Sequence, residues 1–322
     1  MITTMRVVIA LFLFLLIPQY AGAQLNDPSA NPSLEFEMQP DYPNPGESVS
    51  ISINDYRGVG FGDAIDWYRD GTLIPDAHNR KKITITAGEV GDSEKITATL
   101  TSQSGAKDSL STTINPMYMD VIVEPQTHVP DFYRGRALPS VGSTVNLTAL
   151  VNNGSMVNGT LVYLWHVNDT VIEEGSIVGR NYTSFITPQG SEVIISLQVS
   201  RQDGTVLARR AFSIPSVSPE VHFYEVNTLY GTSIRAITKD FNLISNSATI
   251  KAEPYYLDSL VYNNPNIREW SINDKKTDSF DTNPYEITLE RTGFSGRADL
   301  DFHVRSTDLL LQGARNNMHL NL

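Results

Sequence analysis

From about residue 34 onward, apolar and polar residues alternate in short runs separated by Gly, Pro, Asn and Asp. Successive side chains of an extended strand point to opposite faces, so runs with a period of two predict half-buried β-strands. Ile96, Ala98 and Leu100 alternate with Thr97 and Thr99; Val193, Ile195, Leu197 and Val199 form a second run, and Ala298, Leu300, Phe302 and Val304 a third. These runs begin 29 residues after Trp67, 28 after Trp165 and 28 after Trp270. A matching set lies upstream: Val49, Ile51 and Ile53; Val145, Leu147, Ala149 and Val151; Ala248, Ile250 and Ala252, beginning 18, 20 and 22 residues before the same tryptophans. A fixed spacing repeated three times is the mark of one module written three times. The variable upstream spacing is that of a loop.

Each tryptophan sits in a short strand that runs into an Asp/Asn turn, at Asp70-Gly71, Asn168-Asp169 and Asn273-Asp274. These side chains bond their own backbone and so break a strand. The first module opens with Leu34, Phe36 and Met38 and closes with Leu110, Thr112 and Ile114; the second opens at Met119, Val121 and Val123, and the third at Val221 and Phe223. Pro-containing junctions then set the expected modules at 33–116, 117–217 and 218–322, after a Pro/Asn/Ser linker at 24–32. A helical period is interrupted almost everywhere. The exception lies between Gly231 and Ser245, where Ile234, Ile237, Phe241 and Ile244 would share one side of a short helix.

The chain has 322 residues, too many for one core and suited to three of about 100 residues each. Its first 23 residues read as a cleaved export signal: Arg6, an apolar run from Val7 to Ile17, and Ala21-Gly22-Ala23 before Gln24. The apolar run is shorter than the ~20 residues of a membrane span. The formal charge is −12, or −13 once residues 1–23 and their single Arg are removed. An acidic surface repels phosphate backbones and anionic headgroups, which argues against nucleic acid as a partner. There is no cysteine, hence no disulfide and no thiolate metal site, and each module must be held by burial.

A Trp on the third main strand between two antiparallel sheets resembles the immunoglobulin-like sandwich. The segment Gly190-Ser191-Glu192-Val193-Ile194-Ile195-Ser196-Leu197-Gln198-Val199, followed by Asp203-Gly204, is similar to the PKD-type module of bacterial surface proteins, with Val193 where that strand usually carries an aromatic residue. The resemblance implies an all-β chain of three tandem immunoglobulin-like antiparallel sandwiches in a secreted or cell-surface repeat protein. It implies no site residues. Trp67, Trp165 and Trp270 are the expected core residues.

The six histidines, at 78, 128, 166, 222, 303 and 319, show no metal-ligand spacing, and Gly293-Phe294-Ser295-Gly296 has the wrong glycine spacing for a nucleophile elbow. Asp63, Asp66 and Asp70 cluster as carboxylates do in glycosidases, but also as acids do on a solvated hairpin end. A calcium site would draw on Asp55, Asp63 and Asp66, or on Asp299 and Asp301, although their spacing matches no known calcium loop. Five glycosylation triplets, at Asn146, Asn153, Asn158, Asn168 and Asn181, crowd the second module.

The segment from His128 to Pro139 is longer than a strand connection needs. Its Phe132, Tyr133, Arg134 and Arg136, with Tyr255 and Tyr256, are the expected contact residues, since exposed Tyr and Arg favour binding. The competing reading is that these aromatic residues cover a module junction. No catalytic constellation accompanies these features. The expected role is a non-catalytic exported spacer, adhesin or protein-interaction scaffold, with an envelope or extracellular protein as partner. The alternative is a carbohydrate-binding accessory protein, with Tyr255 and Tyr256 stacking on sugar.

Overall fold

The computed structural model describes residues 34–322 apart from 57–63, 153, 155–159, 173–176, 278–281, 292 and 294. The expected export signal and linker lie outside the described residues. The first sandwich comprises β1 (Leu34–Gln39), β2 (Ser48–Asp55), β3 (Ala64–Arg69), β4 (Thr72–Leu73), β5 (Lys82–Thr86), β6 (Glu94–Thr101) and β7 (Lys107–Ile114). The second has β8 (Tyr118–Pro125), β9 (Thr144–Asn152), β10 (Val162–Val167), β11 (Thr170–Val171), β12 (Ile177–Val178), β13 (Tyr182–Ile186), β14 (Glu192–Ser200) and β15 (Val206–Pro215). The third has β16 (Glu220–Asn227), β17 (Gly231–Thr232), β18 (Asp240–Asn242), β19 (Ser247–Tyr255), the short helix α1 (Ser259–Asn263), β20 (Ile267–Ile272), β21 (Lys275–Thr277), β22 (Glu286–Glu290), β23 (Arg297–Arg305) and β24 (Gly313–Asn321).

Each sandwich repeats one plan. The Trp strand pairs with the strand about 28 residues later, and that strand pairs with the closing strand, giving the orders β4-β3-β6-β7, β11-β10-β14-β15 and β18-β24-β23-β20-β21. The facing sheets are β1-β2-β5, β13-β9-β8 and β17-β16-β19-β22. All these ladders are antiparallel except β18 with β24. This is the immunoglobulin-like arrangement of two packed antiparallel sheets.

The alternation read from sequence becomes burial. Ile96, Ala98 and Leu100 of β6 point inward, as do Val193, Ile195, Leu197 and Val199 of β14 and Leu300, Phe302 and Val304 of β23. Each sandwich has its own apolar cluster, and each cluster holds one tryptophan. Trp67, Trp165 and Trp270 are 0%, 3% and 2% exposed. Truncating a buried indole costs ~3–5 kcal/mol, a large part of the stability of a small domain.

The helix expected between Gly231 and Ser245 is not formed. Gly231 takes a positive φ, Ile237 bonds back to Phe223 beside β16, and Phe241 lies in β18. The apolar stripe is split as a result: Ile237 and Phe241 pack on the core, while Ile234 and Ile244 are exposed. Backbone pairing to existing strands satisfies more polar groups than one isolated helical turn. The helix that does form, α1, is started by Asp258, whose carboxylate accepts from the Leu260 N–H.

Candidate functional site

The long connection between β8 and β9 is explained by where it goes. It leaves the second sandwich and lies against the third. His128 donates its N–H to Leu257 O and accepts the Tyr256 N–H at its own carbonyl, both at 2.7 Å, and Ser259 N–H bonds Gln126 O at 2.9 Å. This is a fragment of antiparallel ladder between two sandwiches. The linker adds a parallel bridge from Ser140 to Val217.

Side chains fill the joint in two groups. The first is polar and buried, around Gln312, which is 0% exposed. Its amide donates to Ser140 Oγ at 2.9 Å and Val141 O at 2.7 Å, and its carbonyl accepts the Asp258 N–H at 2.7 Å. Ser140 Oγ donates in turn to Tyr256 O, and the Asp258 carboxylate accepts the Thr144 N–H. A buried polar group costs ~1–3 kcal/mol when unpaired, so these groups are tolerated only in one relative placement of the two sandwiches.

The second group is aromatic and surrounds Glu253, 1% exposed. The His128 ring bonds Glu253 Oε1 at 2.6 Å, and the Lys251 ammonium lies 2.6 Å from Oε2. Burial pushes the Glu253 carboxyl up, but the bonds from His128 and Lys251 outweigh it and hold the group below its ordinary range. His128 stacks on Tyr262 at 3.5 Å, and Tyr262 stacks on Tyr285 at 4.7 Å. Phe132 meets Tyr224 edge-on, Tyr133 meets Tyr255 edge-on, and hydroxyl pairs join Tyr133 to Tyr256 and Tyr224 to Tyr255 at 2.7 Å. Desolvation raises the hydroxyls of Tyr224, Tyr255, Tyr256 and Tyr262, and pushes Tyr285 up to about 12.

This geometry corrects the expectation of an exposed contact surface. Tyr255 is buried, and Phe132, Tyr133 and Tyr256 are half-buried against one another and their neighbours. Stacking of a sugar on the Tyr255–Tyr256 pair is therefore blocked by the protein's own loop. Arg134 and Arg136 alone of the six remain exposed, and Arg136 borders a groove of about 370 Å3 beside β8 and β15. Glu253, Asp258 and Gln312 were missed in the sequence. One signal was available: the alternation of β19 gives way to the consecutive residues Pro254, Tyr255, Tyr256 and Leu257, and in the structure Ala252 to Tyr255 are all buried, with His128 and Tyr133 of the connection covering the outer side chains Glu253 and Tyr255.

The acidic candidates are engaged elsewhere. Asp66 pairs with His78, Asp299 with His319 and Asp301 with Arg315, and Asp63 lies outside the described residues. Among the described residues no three His, Asp or Glu groups converge as a metal site. Of the glycosylation triplets, Asn181 donates its amide to Ala149 O, Asn168 accepts from the Ile194 N–H, and Asn153 and Asn158 lie outside the described residues. Among the described residues no helix is long and apolar enough to cross a membrane.

A second difference separates the sandwiches. The Trp67 indole donates to Arg80 O at 2.8 Å and that of Trp270 to Pro284 O at 3.4 Å. The Trp165 indole N–H is buried and meets no acceptor among the described residues.

No family description matches the chain, and no curated protein resembles it in sequence. Solved structures that align with it include fibronectin(III)-like modules of Clostridium thermocellum CbhA, at 14% identity over 56% of this chain and 94% of theirs, TM-score 0.27. The three N-terminal domains of the bacteriophage RB49 highly immunogenic outer capsid protein align at 11% identity over 90% of this chain and 97% of theirs, TM-score 0.26. Bacteroides ovatus SGBP-B in complex with a mixed-linkage heptasaccharide aligns at 13% identity over 89% of this chain and 70% of its own, TM-score 0.23. By its own sheet topology the chain is a tandem array of immunoglobulin-like β-sandwiches.

Proposed function

We propose that this protein is a non-catalytic, exported scaffold whose second and third sandwiches act as one rigid arm, holding binding surfaces at a fixed spacing for an envelope or extracellular protein. The observation that carries the reading is the buried network from Gln312 through Ser140 and Asp258. A loose string of modules has no use for buried polar groups that only one arrangement satisfies. The signal-like first 23 residues support export.

The absence of cysteine allows labels to be placed at will. Spin labels on Gln202→Cys and Ser295→Cys, one on each sandwich of the arm, give a single narrow distance if the joint is rigid. A broad distribution overturns the arm. Recovery of the expressed chain outside the cytoplasm, beginning at Gln24, is the expected outcome for export, and retention of the uncut chain inside overturns it.

A glycan-binding role has one supporting observation of its own. Tyr118, Ile122, Leu150 and Tyr182 are exposed on the outer face of the β13-β9-β8 sheet, where tyrosine rings can stack on sugar. Loss of glycan-array binding in Tyr118→Ala with Tyr182→Ala supports it; binding unchanged by that pair excludes this face.

A further inference from the structure

Among the described residues, the second sandwich has an edge strand unlike those of its sisters. β13 is the edge of its sheet, and Asn181 O accepts the Ala149 N–H while Thr187 N–H bonds Ser143 O. In an antiparallel ladder the bonded pairs alternate, so the N–H and C=O of Tyr182, Ser184 and Ile186 point away from β9. Beside this edge lies a cleft of about 610 Å3 whose walls include Val171, Ile172, Arg180, Phe185, Ile186 and Pro188.

Edge strands are normally guarded by charge or proline. Among the described residues, every other edge strand of five residues or more is: Glu35 in β1, Lys82 in β5, Lys107 in β7, Asp120 in β8, Arg209 in β15 and Glu286 in β22. β13, Tyr-Thr-Ser-Phe-Ile, carries neither. In the first sandwich Ala77, in the connection leading to β5, is buried in the core, and in the third so is Tyr285, just ahead of β22. The indole bonds report the same contrast. Arg80 O and Pro284 O, which satisfy Trp67 and Trp270, each lie two residues ahead of the edge strand β5 or β22. The corresponding position ahead of β13 is Arg180, on the wall of the cleft, and the Trp165 N–H has no acceptor among the described residues.

We propose that the second sandwich binds an extended, uncharged segment of a partner protein as an added strand along β13, with alternate apolar side chains seated in the cleft. Main-chain bonds to Tyr182, Ser184 and Ile186 would supply affinity; of the cleft walls, which also carry Asn168, Thr170, Arg180 and Thr183, Val171, Ile172, Phe185 and Ile186 would seat the apolar side chains, and a charge is costly to bury against these four. The binding site names a partner chemistry for the scaffold but does not depend on the rigid arm, so either can fail alone.

A random nine-residue peptide library panned on the whole protein tests it. Enriched peptides should be uncharged with alternating β-branched or aromatic residues. Ser184→Pro removes one outward N–H without touching the ladder to β9, a placement edge strands tolerate. It should weaken those peptides about tenfold or more, the scale of one or two lost backbone bonds, while Ser184→Ala binds as wild type. Should Ser184→Pro disturb folding, Ile186→Lys places a charge at the same edge and should weaken binding alike. In the indole region of the NMR spectrum, peptide should move the Trp165 N–H signal and leave those of Trp67 and Trp270 in place. No enrichment, charged or proline-rich winners, or binding indifferent to both variants overturns the proposal. So does self-association of the free protein in sedimentation that Ser184→Pro abolishes, which would make the occupant a second copy.

Discussion

Among the described residues, the two junctions of this chain are built to different standards. Between the first and second sandwiches, Ile114 and Met117 are buried in successive cores with Asn115-Pro116 between them. Tyr42 packs on the second core, with the Arg209 guanidinium 5.8 Å from its ring centre, and Gly154 approaches the 90–91 turn so closely that a Cβ would lie 2.9 Å from Gly91 Cα. These are contacts of surface against surface, which a small rotation replaces with others. Between the second and third sandwiches, backbone pairing, a buried amide and a buried carboxylate meet. There a small rotation strands polar groups. Stiffness in a tandem array therefore comes from the cost of misplacing buried polar atoms more than from contact area.

The sharpest way to break this contrast is at Glu253. Glu253→Leu keeps the volume and leaves His128 and Lys251 facing an apolar group; removing one partner of a buried ion pair costs ~3–5 kcal/mol. The expected result is an earlier unfolding transition for the second and third sandwiches, with the first unchanged, read by hydrogen exchange of β6 against β23. Equal loss of protection in all three would mean that the junctions do not differ.

Gln312→Ala is gentler on the fold and harder on the joint. It withdraws two donors and one acceptor, from Ser140, Val141 and the Asp258 N–H, at ~1–3 kcal/mol. The distance between labels at Gln202 and Ser295 should broaden, while the cores stay protected. A distribution as narrow as wild type would show that the aromatic group alone fixes the angle.

The joint should also be sensitive to pH at both ends, with known signs. Glu253 is held below its ordinary value of 4.5. Its contribution is present above that value and is lost as pH falls through the lower folded value. The joint tyrosines are raised above 10. The stability tied to their neutral form is present in full below 10 and is lost as pH climbs from 10 towards the folded values. Phenolate absorbance during alkaline titration should lag for these residues and then rise with loss of the joint. Titration of all tyrosines near 10 with no structural change would contradict their burial.

The contrast also shows what a sequence can reveal. Period-two alternation located the strands because one face of each sheet meets a core, a local property that Ile96, Val193 and Leu300 each display. The tryptophan spacing exposed the repeat for the same reason. The joint was only half legible. The length and aromatic content of His128–Pro139 flagged it, but whether Tyr133 faces a partner or the protein's own Tyr256 depends on contacts 123 residues apart in the chain. Gln312 is less legible still: nothing around it distinguishes a buried amide from an exposed one until Ser140 and Asp258 are in place. The helix expected at 231–245 failed for a related cause, since pairing with β16 and β24 overrode a local period.

The smallest expected effect lies at the other junction. Tyr42→Ala removes the ring that covers the second core and the face that Arg209 approaches. A cation–π contact at an exposed site contributes ~0.5–1 kcal/mol, so unfolding of either sandwich should shift little. Labels at Ser104→Cys and Gln202→Cys should give a distance distribution broader than the Gln202–Ser295 pair already in the wild type, and only somewhat broader in the variant. A narrow wild-type distribution that collapses on this one substitution would show that a single stacked ring stiffens a junction as well as a buried network does. That result would remove the physical basis for treating the second and third sandwiches as the arm and the first as a hinged attachment.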